Sequence, residues 1–366
     1  MMTDFIELAL PGVQALQPYQ PGKPVEELER ELGLVDAVKL ASNENPLGAS
    51  ETVASALLTT FPQLARYPDG SAYVLKNRLS EFHGISTEMI TVGNGSNDVL
   101  ELLGRVFLNT HNEALVSQHS FVVYPLVAKA VGARLTVIPA KSYRQDLKAT
   151  LESIKNDTRI VFIANPNNPT GTWVTERELI EFLENIPKTL LVVLDEAYFE
   201  YVDKPEYPDG VSLVEKYPNL IVTRTFSKAY GLAALRIGYA ISHPDIADLL
   251  NRVRQPFNVN SMSLVAACAA LDDQKHVEKS VSLNQLGLDY FMEGCDQLGL
   301  SFIPSVANFL TIDLERNAMP IYESLLRMGI IVRPIGVYGL PNHLRVTTGL
   351  SKENEIFLEA LKQLVL

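Results

Sequence analysis

Lys228 stands in the run Thr225-Phe226-Ser227-Lys228, and Arg236 follows eight positions later. A lysine amine condenses with an aldehyde carbonyl to give a Schiff base. Small hydroxyls and a guanidinium, always charged and shaped for paired hydrogen bonds, suit a phosphate. Pyridoxal 5'-phosphate (PLP) is the cofactor that asks for both at once. The same letters also fit a lysine and an arginine on a solvated helix, so the motif needs company.

Other polar runs supply it. Gly93-Asn94-Gly95-Ser96-Asn97 follows a strand-like run and opens a helix-like one. Its glycines admit close backbone approach, and the first N–H groups of a helix attract an anion. Asp98 stands where a dinucleotide fingerprint needs its third glycine, so this is not that motif; a plain strand-to-helix turn is the other reading. Phe121, in Ser120-Phe121-Val122-Val123-Tyr124, is either a core side chain or a flat face for a cofactor ring. Asn165-Pro166-Asn167-Asn168-Pro169-Thr170-Gly171 has the letters of a rigid turn. Beside a pyridine ring, the Asn168 amide could donate to a phenolate oxygen. Asp195 ends an apolar run in Asp195-Glu196-Ala197-Tyr198. A carboxylate there is costly without a cationic or hydrogen-bonding partner. A protonated pyridine nitrogen would be one, and a helix cap is the alternative. Tyr198 could reach the same ring's oxygen. Taken jointly, these residues match the aldehyde, phosphate, ring nitrogen, ring oxygen and ring face of PLP.

The elements that must position them alternate. From about residue 89, short β-branched runs at 89–92, 113–116, 134–139, 159–164, 190–194 and 220–223 read as strands. Several are apolar without alternation, as in strands covered on both faces. Helical periods such as 99–107 and 176–186 lie between them, which implies an α/β fold with a mostly parallel sheet wrapped by helices. Ligands in such sheets sit at the carboxyl ends of strands, where the polar runs fall. After a long helical stretch at 276–298 the pattern becomes strands at 309–314, 330–332 and 344–347 with helices, an α+β arrangement. The expected division is a large domain of residues 41–275. A smaller α+β domain combines residues 1–40, with a helix at 25–32, and residues 276–366.

Bulk properties narrow the class. The chain of 366 residues can bury a substantial core. Its 47% hydrophobic and 20% charged residues are those of a soluble globular protein. A formal charge of −12 argues against nucleic-acid binding, which favours a basic face. Cys268 and Cys295 both lie in apolar helix-like runs, so a reducing compartment fits better than a disulfide scaffold. The acidic start and the lack of a long apolar run imply no signal peptide and no membrane span. A cytoplasmic protein is expected.

With these residues assembled, the chain resembles the fold-type-I PLP-dependent aminotransferases, and within them the branch acting on histidinol phosphate. The resemblance runs nearly end to end. It includes Pro18-Tyr19-Gln20-Pro21-Gly22-Lys23-Pro24, Ser42-Asn43-Glu44-Asn45-Pro46-Leu47-Gly48, Tyr67-Pro68-Asp69-Gly70 and Leu344-Arg345-Val346-Thr347. It implies the aspartate aminotransferase-like fold, PLP as cofactor and no metal. By resemblance, Lys228 carries the cofactor aldehyde and then serves as general base. Asp195 pairs with the ring nitrogen, while Asn168 and Tyr198 bond the ring oxygen. Phe121 stacks on the ring, where many relatives have Tyr. Thr225, Ser227, Arg236 and the backbone of Ser96 and Asn97 hold the phosphate. Tyr67 reaches the neighbouring subunit's cofactor, which implies a homodimer with shared sites. Arg345 and Arg333 take the substrate anion, and Tyr19 and Asn43 line its pocket. The implied reaction exchanges an amino group between L-histidinol phosphate and 2-oxoglutarate, giving imidazole-acetol phosphate and glutamate. Competing readings are an aromatic-amino-acid aminotransferase, a phosphothreonine decarboxylase, a non-catalytic sensor and a doubly wound nucleotide-binding enzyme.

Overall fold

The apolar runs after residue 89 become one sheet in the computed structural model, which describes residues 5–18 and 22–366. Among those residues the sheet has seven strands. They are β1 (Ile90–Gly93), β2 (Glu113–Ser117), β3 (Arg134–Ile138), β4 (Thr158–Ala164), β5 (Leu191–Asp195), β6 (Leu220–Thr225) and β7 (Gly238–Ile241). Their spatial order is β1-β7-β6-β5-β4-β2-β3. β7 runs against both β1 and β6, while the other four ladders are parallel. The sheet is therefore mixed, though mostly parallel as expected. β7 is a seventh strand that the sequence reading does not mark. Its letters, Gly-Tyr-Ala-Ile, carry little β-branched signal, and its position between two strands stabilises it instead.

Every residue of β1, β2, β5, β6 and β7 is buried, because apolar clusters press on both faces of the sheet. One cluster packs Phe162, Ile160 and Val193 against helix α1 (Ser96–Phe107) and helix α2 (Val123–Ala130). α1 starts at Ser96, three residues earlier than the apolar period at 99 suggests. Gly95 takes φ 80°, which turns the chain out of β1 and starts the helix at once.

A separate cluster surrounds Phe291, Leu310, Leu344 and Phe357. It lies on a four-stranded sheet among the described residues, formed by β8 (Phe302–Ile303), β9 (Phe309–Asp313), β10 (Arg333–Pro334) and β11 (His343–Thr347). Helix α3 (Gln274–Leu298) and the helix Ser351–Val365 cover it, with Phe291 and Phe357 meeting edge-on at 5.5 Å. The run expected as one strand at 330–332 is in fact divided. Ile330–Ile331 pairs in parallel with Val38–Lys39, and the chain then changes partner so that Arg333 lies opposite Arg345. No helix among the described residues is long and apolar enough to cross a membrane.

Candidate active site

The carboxyl ends of β4, β5 and β6 open into a cavity of about 180 Å³. A water molecule's share of liquid volume is about 30 Å³, so the space suits a small organic molecule. Lys228 and Asp195 both line it, three residues beyond β6 and at the end of β5.

The Lys228 ammonium donates to the carbonyls of Ser42 and Asn43, each at 3.2 Å. Burial, followed by the charge of Arg345, lowers its pKa to about 7. Asn43 holds the receiving turn in a left-handed conformation at φ 54°, which asparagine tolerates better than most residues.

Asp195 is 5% exposed and accepts from the Tyr124 hydroxyl at 2.7 Å and the Thr223 hydroxyl at 2.9 Å. Burial nevertheless pushes its pKa upward. These two donors and the Ala197 N–H, all neutral, do not fully replace water around a buried charge. A cationic group placed in the cavity would, and that is the property of a protonated pyridine nitrogen.

Tyr198 lines the cavity and accepts from Asn43 Nδ2 at 2.8 Å. Burial pushes its hydroxyl up to about 12, so the phenol keeps its proton at neutral pH and can donate it. The Asn168 side-chain oxygen accepts from Arg345 Nη1 at 2.5 Å. That bond assigns the amide orientation, with its oxygen on Arg345 and its N–H donors on the other side of the amide. Phe121 lines the cavity and meets Tyr124 edge-on at 5.8 Å. Tyr124 in turn stacks on Phe162 at 4.9 Å.

The phosphate-type cradle forms where α1 begins. Ser96, Asn97, Thr225, Ser227 and Arg236 converge on the same cavity. Arg236 Nη1 donates to the Ser227 hydroxyl at 3.3 Å, and Ser227 N–H donates to the Thr225 hydroxyl at 3.1 Å. Two glycines make the approach possible. A Cβ on Gly95 would sit 2.5 Å from Arg236 Nη2, and one on Gly238 would sit 2.5 Å from the Ser96 nitrogen. With free N–H groups of a twelve-residue helix beside a guanidinium, the cradle fits a phosphate. The donor set as a whole fits PLP.

Arg333 and Arg345 also line the cavity, directly opposite one another on β10 and β11. Opposed residues of an antiparallel pair project from the same face, so the two guanidiniums can serve one anion. Asn43, expected in the substrate pocket, lines the cavity, yet its side chain is engaged with Tyr198 and Thr347. Tyr67 is 82% exposed and stacks on Phe257 at 4.7 Å, on the outer surface of its own chain. Tyr19 falls outside the described residues.

Sequence reasoning missed Tyr124 and Thr223. Tyr124 sits three residues after Phe121, and its N–H donates to the Phe121 carbonyl as helix α2 begins, a spacing that could have revealed it. Thr223 is the cross-strand partner of Asp195, and register between strands is not written in one chain's letters.

Comparison with known proteins gives the family. The family model described as aminotransferase class I and II matches residues 35–361. The chain is 55% identical to histidinol-phosphate aminotransferase 2 of Pseudomonas fluorescens, covering 100% of this chain and 99% of that one. It is 50% identical to histidinol-phosphate aminotransferase 2 of Haemophilus influenzae, covering 99% of each. Among solved structures, the histidinol-phosphate aminotransferase of Sinorhizobium meliloti in complex with pyridoxal-5'-phosphate superposes with a TM-score of 0.90. The two are 30% identical, and the match covers 97% of this chain and 96% of that one.

Proposed function

This chain belongs to the class I and II aminotransferase family, and from that premise we propose that it transfers an amino group between L-histidinol phosphate and 2-oxoglutarate. The observation carrying this reading is one cavity holding an amine, an anion cradle, a buried carboxylate and an opposed arginine pair. The full-length similarity to histidinol-phosphate aminotransferases supports the substrate.

PLP, when bound, supplies an electron sink for the negative charge that develops on the substrate carbon next to nitrogen. The protein's residues do the rest. Lys228 presents an uncharged amine above neutrality, able to hold the cofactor aldehyde and, once released, to take a proton from that carbon and deliver it to the carbon that had carried the aldehyde. Asp195 keeps a proton on the ring nitrogen by its charge, and Tyr124 and Thr223 hold the carboxylate in place. Tyr198 and Asn168 donate to the ring oxygen. Ser96, Asn97, Thr225, Ser227 and Arg236 grip the cofactor phosphate, and Phe121 covers the ring. Arg333 and Arg345 bind the substrate phosphate in one half-reaction and a carboxylate in the other, because a guanidinium fork fits both anions.

The working unit is a homodimer with shared sites. Leu58, Phe61, Leu64, Tyr67, Tyr73 and Val74 form an exposed apolar run that a second copy would cover. Tyr67 is then the residue offered to the partner's cavity. Residues 41–275 form the cofactor-binding part and residues 276–366 the smaller one. The ladder between Val38–Lys39 and Ile330–Ile331 ties the segment just before residue 41 to the smaller part, whereas Pro11–Gln14 lies against helix α2 of the larger part. The proposed setting is the cytoplasm, where Cys268 and Cys295 remain thiols.

The test is side-by-side turnover of histidinol phosphate, phenylalanine and tyrosine with 2-oxoglutarate as acceptor. Histidinol phosphate should be handled best; faster turnover of either aromatic amino acid would replace the proposed substrate.

A further inference from the structure

The loop carrying Phe121 and the wall carrying Tyr338 belong to different sheets. His119 lies two residues beyond β2, and Tyr338 ends the short turn Gly336–Tyr338 between β10 and β11. The two meet across the cleft, with His119 Nδ1 2.5 Å from the Tyr338 carbonyl oxygen. A carbonyl only accepts, so Nδ1 carries the proton and donates.

His119 is itself firmly held. Its carbonyl accepts from Asn167 Nδ2 at 3.1 Å, in the residue next to Asn168. Its ring lies 6.2 Å from that of Tyr143, which meets the His343 ring edge-on at 5.9 Å, two positions before Arg345. The wall it grips is a short turn. Gly336 begins it, Gly339 caps it, and Val337 at its tip is 76% exposed. Tyr338 lines the cavity, whereas the His119 ring is outside that lining. A bond that joins the ring-side loop to a cavity wall on another sheet is a place where a donor can set substrate geometry.

We propose that His119 is a positioning residue for amino transfer. Its hydrogen bond to Tyr338 fastens the substrate-side wall to the loop that sets Phe121 and Asn168 on the ring side. The inference rests on the function proposed above for its substrate, and on geometry alone for the fastening.

Two variants separate the bond from the backbone. His119 has φ 60°, a conformation that glycine adopts without strain and asparagine tolerates. His119→Gly removes the donor; His119→Asn keeps an N–H donor near the Nδ1 position. In the cofactor-free protein, amide hydrogen exchange across residues 336–343 should quicken roughly tenfold in His119→Gly, the factor for one ordinary hydrogen bond. It should stay within about twofold of the parent in His119→Asn. In the cofactor-loaded protein, the amino donor's KM should rise about fivefold to tenfold in His119→Gly with kcat changed less than about twofold, again reversed by asparagine.

Unchanged exchange in the glycine variant, or failure of asparagine to restore it, overturns the proposal. Quickened exchange with an unmoved KM overturns the positioning role. If exchange responds but the parent does not turn over histidinol phosphate, the proposed substrate falls and the fastening stands, with KM then read on whichever amino donor the parent uses.

Discussion

Arg345 donates through Nη1 to Asn168 Oδ1 at 2.5 Å and through Nη2 to the Ala41 carbonyl at 2.6 Å. One guanidinium thus ties the turn after β4 to the segment that receives the Lys228 amine. It fixes the Asn168 amide while it stands opposite Arg333 across β10 and β11.

That double duty makes a measurable claim about Arg345. In Arg345→Ala the apparent KM should rise for both the amino donor and 2-oxoglutarate, each by roughly ten- to a hundredfold, the range for lost charge-assisted hydrogen bonds. Arg345→Lys should recover only part of it, because an ammonium cannot present a planar fork. Steady-state kinetics with each substrate varied in turn reads the outcome. A rise for one substrate alone would show that the two anions are held by different groups.

Lys228 gives a pH prediction. Its pKa near 7 lies below the ordinary lysine value of 10.5 because of burial first and Arg345 second. The neutral fraction therefore climbs from about one-tenth at pH 6 to about nine-tenths at pH 8. Capture of pyridoxal, used without its phosphate so that the phosphate's second ionisation does not overlap, should quicken about tenfold over that interval and then level off. Borohydride trapping with peptide mass analysis measures the rate at this position. A rate that keeps climbing to pH 10 would mean an ordinary lysine. The stability sign follows: from about pH 7 to 10.5 the unfolded chain holds the extra proton, so the contribution of this residue to stability improves as pH rises through that window.

Asp195 should reverse its effect on stability when the cofactor arrives. Its folded pKa is raised by burial, so the folded chain binds the proton more readily than the unfolded one. The contribution of Asp195 is then favourable in acid and is lost as pH rises through the folded value. In the cofactor-free protein at neutral pH, Asp195→Asn should leave the unfolding temperature unchanged or raise it. With PLP added, the variant should gain less than the parent, since the ring nitrogen no longer meets a charge. Amino transfer should fall by on the order of a thousandfold, as for loss of a key charge in a dry site. Thermal unfolding with and without PLP tests the reversal, and a parallel upward shift in both proteins would argue against it.

The letters around Lys228, Asp195 and Gly95 were legible because each sits at a strand end, and strand ends of one parallel sheet converge. What they could not give is register. Alternation along β6 puts Thr223 and Thr225 on one face and Arg224 on the other, but only the pairing of β5 with β6 sets Thr223 beside Asp195. The same pairing sends Glu196 and Arg224 behind the sheet, where they form a buried ion pair at 2.8 Å, supported by Asp209. The sequence reading gave neither residue a role. β7 escaped for a related reason, since its four residues are strand only by virtue of their neighbours. Tyr67 was legible by resemblance, yet within one chain it stacks on Phe257 at the surface, and a shared site cannot be read from a single copy.

The shared site can be tested by mixing subunits that are each defective. A Lys228→Ala subunit lacks the amine but keeps Tyr67, while a Tyr67→Ala subunit keeps the amine and lacks the phenol it would lend. If Tyr67 serves only the cavity of its own chain, every site in a mixed population remains defective. If it serves the partner's, each hybrid dimer holds one site with both residues intact. Random re-association makes half of the dimers hybrids, so activity should recover to about one quarter of the parent's. The measurement is turnover after the two variants are unfolded together, refolded in equal amounts and reloaded with PLP, against each variant treated alone. Recovery to that level requires a two-fold assembly in which the surface around Tyr67 and Phe257 is buried between copies. Activity no greater than the average of the separate variants would show that Tyr67 does not serve the partner's cavity.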